Sequence, residues 1–282
     1  MSEPRQIADP REMQALALEL RAKGRRIAFV PTMGFLHEGH AALLRDARRR
    51  GDVLVLSIFV NPTQFGPHED FDRYPRDLPR DLAIATKEGT DLVFLPTKDS
   101  MYPAGAATFV EVKDVAEPLE GEKRPGHFRG VATVVTKLFL LVQPHVAVFG
   151  QKDWQQLAVI RRMTADLDLP VEIVGHPIVR EPDGLALSSR NVYLSPIERA
   201  QALTLSRGLL LAEAAWKKGE RDPARLQTIA QAEIAMQPVT IEYVAVVDPG
   251  TMRPAIAGAA KMLMALAVKV GRTRLIDNRL FE

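Results

Sequence analysis

The chain has 282 residues, 46% of them hydrophobic and 26% charged, which is enough apolar material for a sizeable core and about the length of two packed domains. Lys and Arg number 37 against 35 Asp and Glu, a formal net charge of +2 that argues against a nucleic-acid partner. Cysteine is absent, which excludes disulfides, thiolate catalysis and cysteine–zinc sites, and no apolar segment is long enough for a signal peptide or a membrane span, so a cytoplasmic protein is expected.

The first clear element is the apolar run Ile27 to Val30, a buried strand, followed by a helix over Gly39 to Arg49 whose basic end (Arg45, Arg48, Arg49, Arg50) reads as solvated. Val53 to Val60 is a second strand, closed by Asn61-Pro62 because proline cannot donate to a ladder. Leu78 to Glu88 is helical, with Pro79 in its first turn and Gly89 past its end. Leu92 to Leu95 is a strand, Val131 to Val142 a helix, Val146 to Phe149 a strand, Trp154 to Leu167 a helix and Val171 to Val174 a strand. Such alternation predicts an α/β fold, a doubly wound, Rossmann-like parallel sheet with helices on both faces.

Beyond Arg180 the pattern changes. Two consecutive helices (Pro196 to Lys218, Pro223 to Met236) precede three strand-like runs (Ile241 to Val247, Lys261 to Val270, Arg274 to Asn278). A smaller α+β domain is expected over residues 182–282, after a first domain over 1–181.

Polar residues gather immediately after three strands. The first strand runs into Met33-Gly34-Phe35-Leu36-His37-Glu38-Gly39-His40, the second into Asn61-Pro62-Thr63-Gln64, and the strand at Val146 into Gly150-Gln151-Lys152-Asp153. In an open parallel sheet, ligands bind beyond the carboxyl ends of the strands. His37 and His40, spaced i,i+3, share a face at a helix N-terminus, where backbone N–H groups and the dipole favour phosphate. Two bland readings compete, surface histidines and a pair of metal ligands; the second lacks a third ligand, and the strand–glycine–helix context favours the phosphate reading over the first. Lys152 at a helix start reads as an anion contact or as a solvated lysine. Gln64 and Gln156 suit a hydroxyl or carboxylate, because an amide adds no charge that would dampen a nucleophile. Leu187-Ser188-Ser189-Arg190 can grip phosphate oxygens or serve as a plain linker. The glycine-punctuated segment Gly121 to Gly130 is either an anion-binding or gating loop or an ordinary surface loop.

Together the segments Pro31-Thr32-Met33-Gly34-x-Leu36-His37-Glu38-Gly39-His40, Ser57 to Phe65, Arg73-Tyr74-Pro75-Arg76, Arg124 to Gly130, Phe149-Gly150-x-Lys152-Asp153-x-Gln155-Gln156-Leu157 and Asp183 to Asn191 resemble, in order, the motifs of the pantoate–β-alanine ligase family, within the nucleotidyltransferases that carry HIGH-type motifs. Near the end of the chain, Arg274 to Asn278 is also similar to that family.

The resemblance implies that the carboxylate of pantoate attacks the α-phosphorus of ATP, and that the amine of β-alanine then displaces AMP. It implies that His40 donates a proton to the leaving group and that His37 contacts phosphate, with Lys152, Ser188, Ser189 and Arg190 also in the catalytic set. ATP contacts would come from Met33, Gly34, Phe35, Leu36, His37, Glu38, Gly39, His40, Gly150, Gln151, Lys152, Asp153, Val179, Leu187, Ser188, Ser189 and Arg190. Gln64 and Gln156 would hold pantoate, with Gln64 also near β-alanine. Magnesium would sit mainly on ATP oxygens and water, with Asp81 as a candidate protein ligand, and the protein would be a homodimer. Gln151 stands where glutamate is common in the family, Phe35 where a small residue or asparagine is common, and Arg80 where some relatives are acidic. The competing expectations are a nucleotidyltransferase acting on a phosphorylated acceptor and a nucleotide-sensing regulatory subunit.

Overall fold

Residues that are apolar on both faces of a strand need cover on both sides, and the first half of the chain supplies strands of that kind. The computed structural model describes residues 3–67 and 69–282. Its elements begin with β1 (Arg5–Ile7) and α1 (Pro10–Ala22), followed by β2 (Ile27–Thr32), α2 (Glu38–Arg48), β3 (Val53–Ile58), α3 (Leu78–Lys87) and β4 (Leu92–Phe94). Two short helical turns, α4 (Lys98–Met101) and α5 (Glu120–Lys123), lead to α6 (His127–Val142), β5 (Val146–Gly150), α7 (Trp154–Asp166) and β6 (Glu172–His176). The six strands form one sheet in the order β1-β4-β3-β2-β5-β6, all parallel.

Ile27 to Val30 and Leu54 to Leu56 are fully buried, which accounts for their continuous apolar runs. Pro31 is tolerated in the central strand β2 for a local reason. Pairing with β5 covers only Ala28 and Phe29, so Pro31 lies where that side of the ladder has already ended.

The second half gives α8 (Pro196–Lys217) and α9 (Pro223–Ile234), then β7 (Thr240–Val247), β8 (Met262–Val270) and β9 (Thr273–Phe281) in an antiparallel sheet ordered β7-β8-β9. Leu205, Leu209, Trp216, Leu226, Met264, Leu266 and Phe281 share its core, and Trp216 stacks on Phe281 at 5.6 Å. The helix starts are legible in the chain. Asp9, Ser195 and Asp222 each cap a helix whose next residue is proline, and caps of this type stabilise by about 1 kcal/mol each. The chain divides into two compact units. The first runs to Gln151 and includes Val159–Pro177, and the second is Lys152–Ala158 with Ile178–Glu282.

The expected architecture, a Rossmann-like parallel sheet and a smaller α+β unit, is the one observed. Several elements differ from expectation. β1 and α1 were not anticipated, although Asp9-Pro10 and the buried i,i+4 pair Met13 and Ala17 mark the helix. α6 begins at His127, inside the segment read as a loop, and β9 continues to Phe281 because its pairing with β8 runs on to Met262.

Candidate active site

Strand order places the polar segments. From β2 the chain winds outward through β3 and β4, then returns to the other side of β2 as β5, so the order reverses between β2 and β5. Ligands of open parallel sheets bind outside the carboxyl ends of the strands at such a reversal. The three segments singled out in the sequence follow β2, β3 and β5, which are adjacent in the sheet.

After β2 the backbone turns through two left-handed residues, Gly34 at φ 82° and Phe35 at φ 50°. Glycine is required at the first. A Cβ on Gly34 would stand 2.9 Å from Ile58 Cγ2 and 3.0 Å from Asp81 Oδ2, in addition to the positive φ. The turn delivers His37 as the N-cap of α2. Its Nδ1 accepts the Gly39 N–H at 3.1 Å, while Nδ1 of His40 accepts the His37 N–H at 3.3 Å. The rings lie 4.1 Å apart between centroids. A neutral imidazole has one donor and one acceptor nitrogen, so both rings, accepting at Nδ1, carry their proton on Nε2. The Nε2–H groups thereby stand at the positive end of the helix dipole. Of the other residues expected to meet ATP here, Leu36 is fully buried in the core and Glu38 is exposed and ion-paired with Arg45.

Gln64 ends a 3-10 turn (Pro62–Gln64) after β3 and is buried. Its amide direction is fixed by Asn61. Oδ1 of Asn61 accepts from the Tyr102 hydroxyl and from Thr63 Oγ1, each at 2.9 Å, so its Nδ2 donates to Gln64 Oε1 at 3.1 Å and to the Gly130 carbonyl at 3.2 Å. The Gln64 Nε2 then points to Met33 Sδ at 3.2 Å, joining the segments after β2 and β3.

The same turn is held from beneath by α6. Nδ1 of buried His127 donates to the Gln64 carbonyl at 2.8 Å, and its Nε2 accepts from Arg124 Nη1 at 3.0 Å. Arg124 is itself paired with Glu69, its Nε 2.7 Å from Oε1. Burial, reinforced by the Arg124 charge, lowers the His127 pKa to about 4, which keeps the ring neutral in this role. Gly130 lets α6 approach, since a Cβ there would lie 2.3 Å from the Thr63 carbonyl oxygen. Within the segment read as an anion-binding or gating loop or as a surface loop, Arg124, His127 and Gly130 thus brace Gln64. Asn61 and His127 lie in segments that the sequence singled out, but sequence reading gave neither a role of its own. Their signal was the polar residue itself, directly after an apolar strand in one case and before an apolar helix in the other.

Gly150 and Gln151 close β5, with Gln151 Nε2 donating to the Gly175 carbonyl at 3.3 Å. In the second unit, Lys152 and Asp153 lead into α7, and Gln156 occupies its first turn, partly buried. The Lys152 side chain is mostly buried, with Nζ 3.9 Å from Asp153 Oδ1. Its carbonyl accepts from Asn278 Nδ2 at 2.8 Å, and Trp154 Nε1 donates to the Pro249 carbonyl at 2.8 Å. Asp277, the neighbour of Asn278 on β9, takes both guanidinium nitrogens of Arg180 at 2.7 and 2.9 Å. From Arg180 the chain forms a braced turn. Leu187 N–H donates to the Val179 carbonyl at 3.0 Å, Arg199 bonds Glu181 and Asp183, and Asn191 donates to Glu181 at 2.9 Å. Ser188 Oγ accepts the Arg190 N–H at 3.2 Å, and Ser189 is buried. The Ser-Ser-Arg segment is thus held by its own unit and is not a slack linker.

Asp81, the candidate metal ligand, packs against the turn after β2. It is 1% exposed, and its oxygens accept the Phe35 N–H at 2.8 Å and the Leu36 N–H at 2.6 Å. Burial pushes its carboxyl up against the opposing pull of those amides. Among the described residues no group of three His, Asp or Glu side chains is arranged to hold a metal ion, and no helix is long and apolar enough to cross a membrane.

Comparison with known proteins gives a consistent result. The family described as pantoate-beta-alanine ligase matches residues 5–280. A pantothenate synthetase of Geobacter sulfurreducens is 57% identical over 268 residues, covering 95% of each chain. Among solved structures, pantothenate synthetase from Thermus thermophilus superposes with a TM-score of 0.92 at 47% identity and 98% coverage of each chain. The pantoate-beta-alanine ligase of Francisella tularensis, complexed with beta-gamma ATP and beta-alanine, gives a TM-score of 0.80 at 31% identity, over 98% of this chain and 97% of that one.

Proposed function

The chain belongs to the pantoate–β-alanine ligase family, and on that premise we propose how its own residues divide the work of the reaction. The activity is ATP-dependent condensation of pantoate with β-alanine to pantothenate through pantoyl adenylate, with release of pyrophosphate and AMP. In the first step the pantoate carboxylate attacks the α-phosphorus of ATP, and the bond from that phosphorus to the pyrophosphate oxygen breaks. In the second, the amine of β-alanine attacks the acyl carbon, the amide bond forms and AMP leaves.

The observation that carries the residue assignment is the pair of imidazoles locked as Nε2 donors at the N-terminus of α2. Negative charge grows on the departing pyrophosphate, and donors already aimed at it strengthen without reorganising. His40 is the leaving-group donor and His37 its companion on phosphate. From the turn Met33 to His40 the nucleotide is met by the imidazoles of His37 and His40, with Gly150 and Gln151 completing the contacts of the first unit, while Leu36 stays in the core. Lys152, Asp153, Val179, Leu187, Ser188, Ser189 and Arg190 are the contacts of the second, where an ammonium and a guanidinium match phosphate oxygens. Gln64, its donor end fixed by Asn61, holds pantoate together with Gln156, leaving the nucleophilic carboxylate without a neutralising cation.

Magnesium would accompany ATP and would be held mainly by phosphate oxygens and water, as suits the ion. A cytoplasmic homodimer belongs to the same reading and is supported by the motif resemblance; sedimentation at micromolar concentration tests the dimer. Pantoate-dependent exchange of labelled pyrophosphate into ATP, measured without β-alanine, tests the adenylate. Exchange is expected, and its absence alongside net pantothenate formation would remove the two-step scheme.

A further inference from the structure

A carboxylate buried to 1% exposure costs stability unless something compensates it, and Asp81 at the first turn of α3 is compensated by two backbone amides. Those amides belong to Phe35 and Leu36, 46 and 45 residues earlier in the chain, in the turn that connects β2 to His37. The turn is conformationally expensive. Phe35 holds φ 50°, a region that L-residues with a bulky side chain rarely occupy, and such strain persists only where the surroundings impose it. Two contacts besides Asp81 bear on it. Leu36 is sealed in the core, and the guanidinium of Arg80, next to Asp81 on α3, lies 5.0 Å from the Phe35 ring centroid. The space is closed as well, since a methyl on Gly34 would meet Asp81 Oδ2 at 3.0 Å.

We propose that Asp81 is a positioning residue for adenylation: by accepting the amides of Phe35 and Leu36 it fixes the left-handed turn from which His37 and His40 are aimed. It acts through the histidines and touches neither substrate nor metal. The inference rests on the functional reading given above and adds to it a tie between α3 and the nucleotide turn. It also implies that the Phe35 and Leu36 amides are committed to the protein, so phosphate is met by the imidazoles and residues beyond them.

The test is Asp81→Asn, which keeps one acceptor and turns a donor toward an amide N–H. Pantoate-dependent pyrophosphate exchange is measured across a magnesium titration, and supplied pantoyl adenylate is turned over with β-alanine to isolate the second step. The expected result is an exchange rate lower by roughly 10²-fold, the scale of a misplacement of about 1 Å, with the half-saturating magnesium concentration unchanged. Imidazole nitrogen resonances of His37 and His40 are expected to move away from the Nε2–H tautomer. A wild-type rate in a folded variant overturns the proposal, and so does a rate restored by raised magnesium, which would make Asp81 a metal ligand. If Asp81→Asn does not fold, Gly34→Ala applies the same test by pressing on the intact carboxylate, and a wild-type exchange rate there is equally fatal. Wild-type protein without any exchange would instead remove the ligase reading, so the two failures are distinguishable.

Discussion

The imidazole of His127, at the first residue of α6, donates to the carbonyl oxygen of Gln64 across 63 positions of sequence, at 2.8 Å. A binding residue on a short 3-10 turn is thereby tied to a long buried helix, and the Arg124 contact behind the ring depends on the ring remaining neutral. An imidazolium would have lost the Nε2 lone pair that accepts from Arg124 and would face a guanidinium 3.0 Å away.

This produces a pH dependence with a definite sign. The folded pKa of about 4 lies below the unfolded value of 6.5, so between those limits the unfolded chain takes up a proton that the native state refuses. The contribution is fully present above pH 6.5 and is lost as pH falls toward 4, amounting to roughly 3 kcal/mol over the whole window. Denaturant unfolding of wild type and His127→Gln at pH 7 and at pH 4.5 checks it. Wild type is expected to lose more stability than the variant over that interval, and parallel losses would show that His127 is not the responsible group.

For Gln64→Ala, the KM for pantoate is expected to rise by about 10-fold or more, the scale of a lost buried hydrogen bond to a charged group, with the KM for ATP nearly unchanged. Gln156→Ala is expected to show the same split. Initial rates with each substrate varied separately decide the matter, and equal weakening of both substrates would refute the assignment of these amides to pantoate.

For His40→Ala, adenylation is expected to fall by about 10²-fold or more while the fold persists, in the range seen when a transition-state donor is removed. A smaller effect accompanies it, because the His37 N–H loses its acceptor in the N-terminal cap, a bond whose loss costs about 1 kcal/mol. Single-turnover formation of pantoyl adenylate, with thermal unfolding alongside, separates the two. Near-normal adenylation would end the role given to His40.

The alternation of apolar runs with amphipathic ones was enough to predict parallel strands with helices between them, since a strand buried on both faces has to be continuously apolar, as Ile27 to Val30 and Leu54 to Leu56 are. The His37/His40 turn was equally legible, because strand, glycine and helix are contiguous and their chemistry is local. β1 escaped because three residues at a sheet edge carry too short a pattern. No local periodicity encodes strand order, nor the tie from His127 to Gln64 and the grip of Asp81 on Phe35 and Leu36, which join positions 45 or more residues apart. Asp81 in particular has the composition of a metal ligand when read alone. Its burial and its two amide partners exist only once α3 packs beside the end of β2, and that packing turns an acidic side chain into a fixture of the backbone.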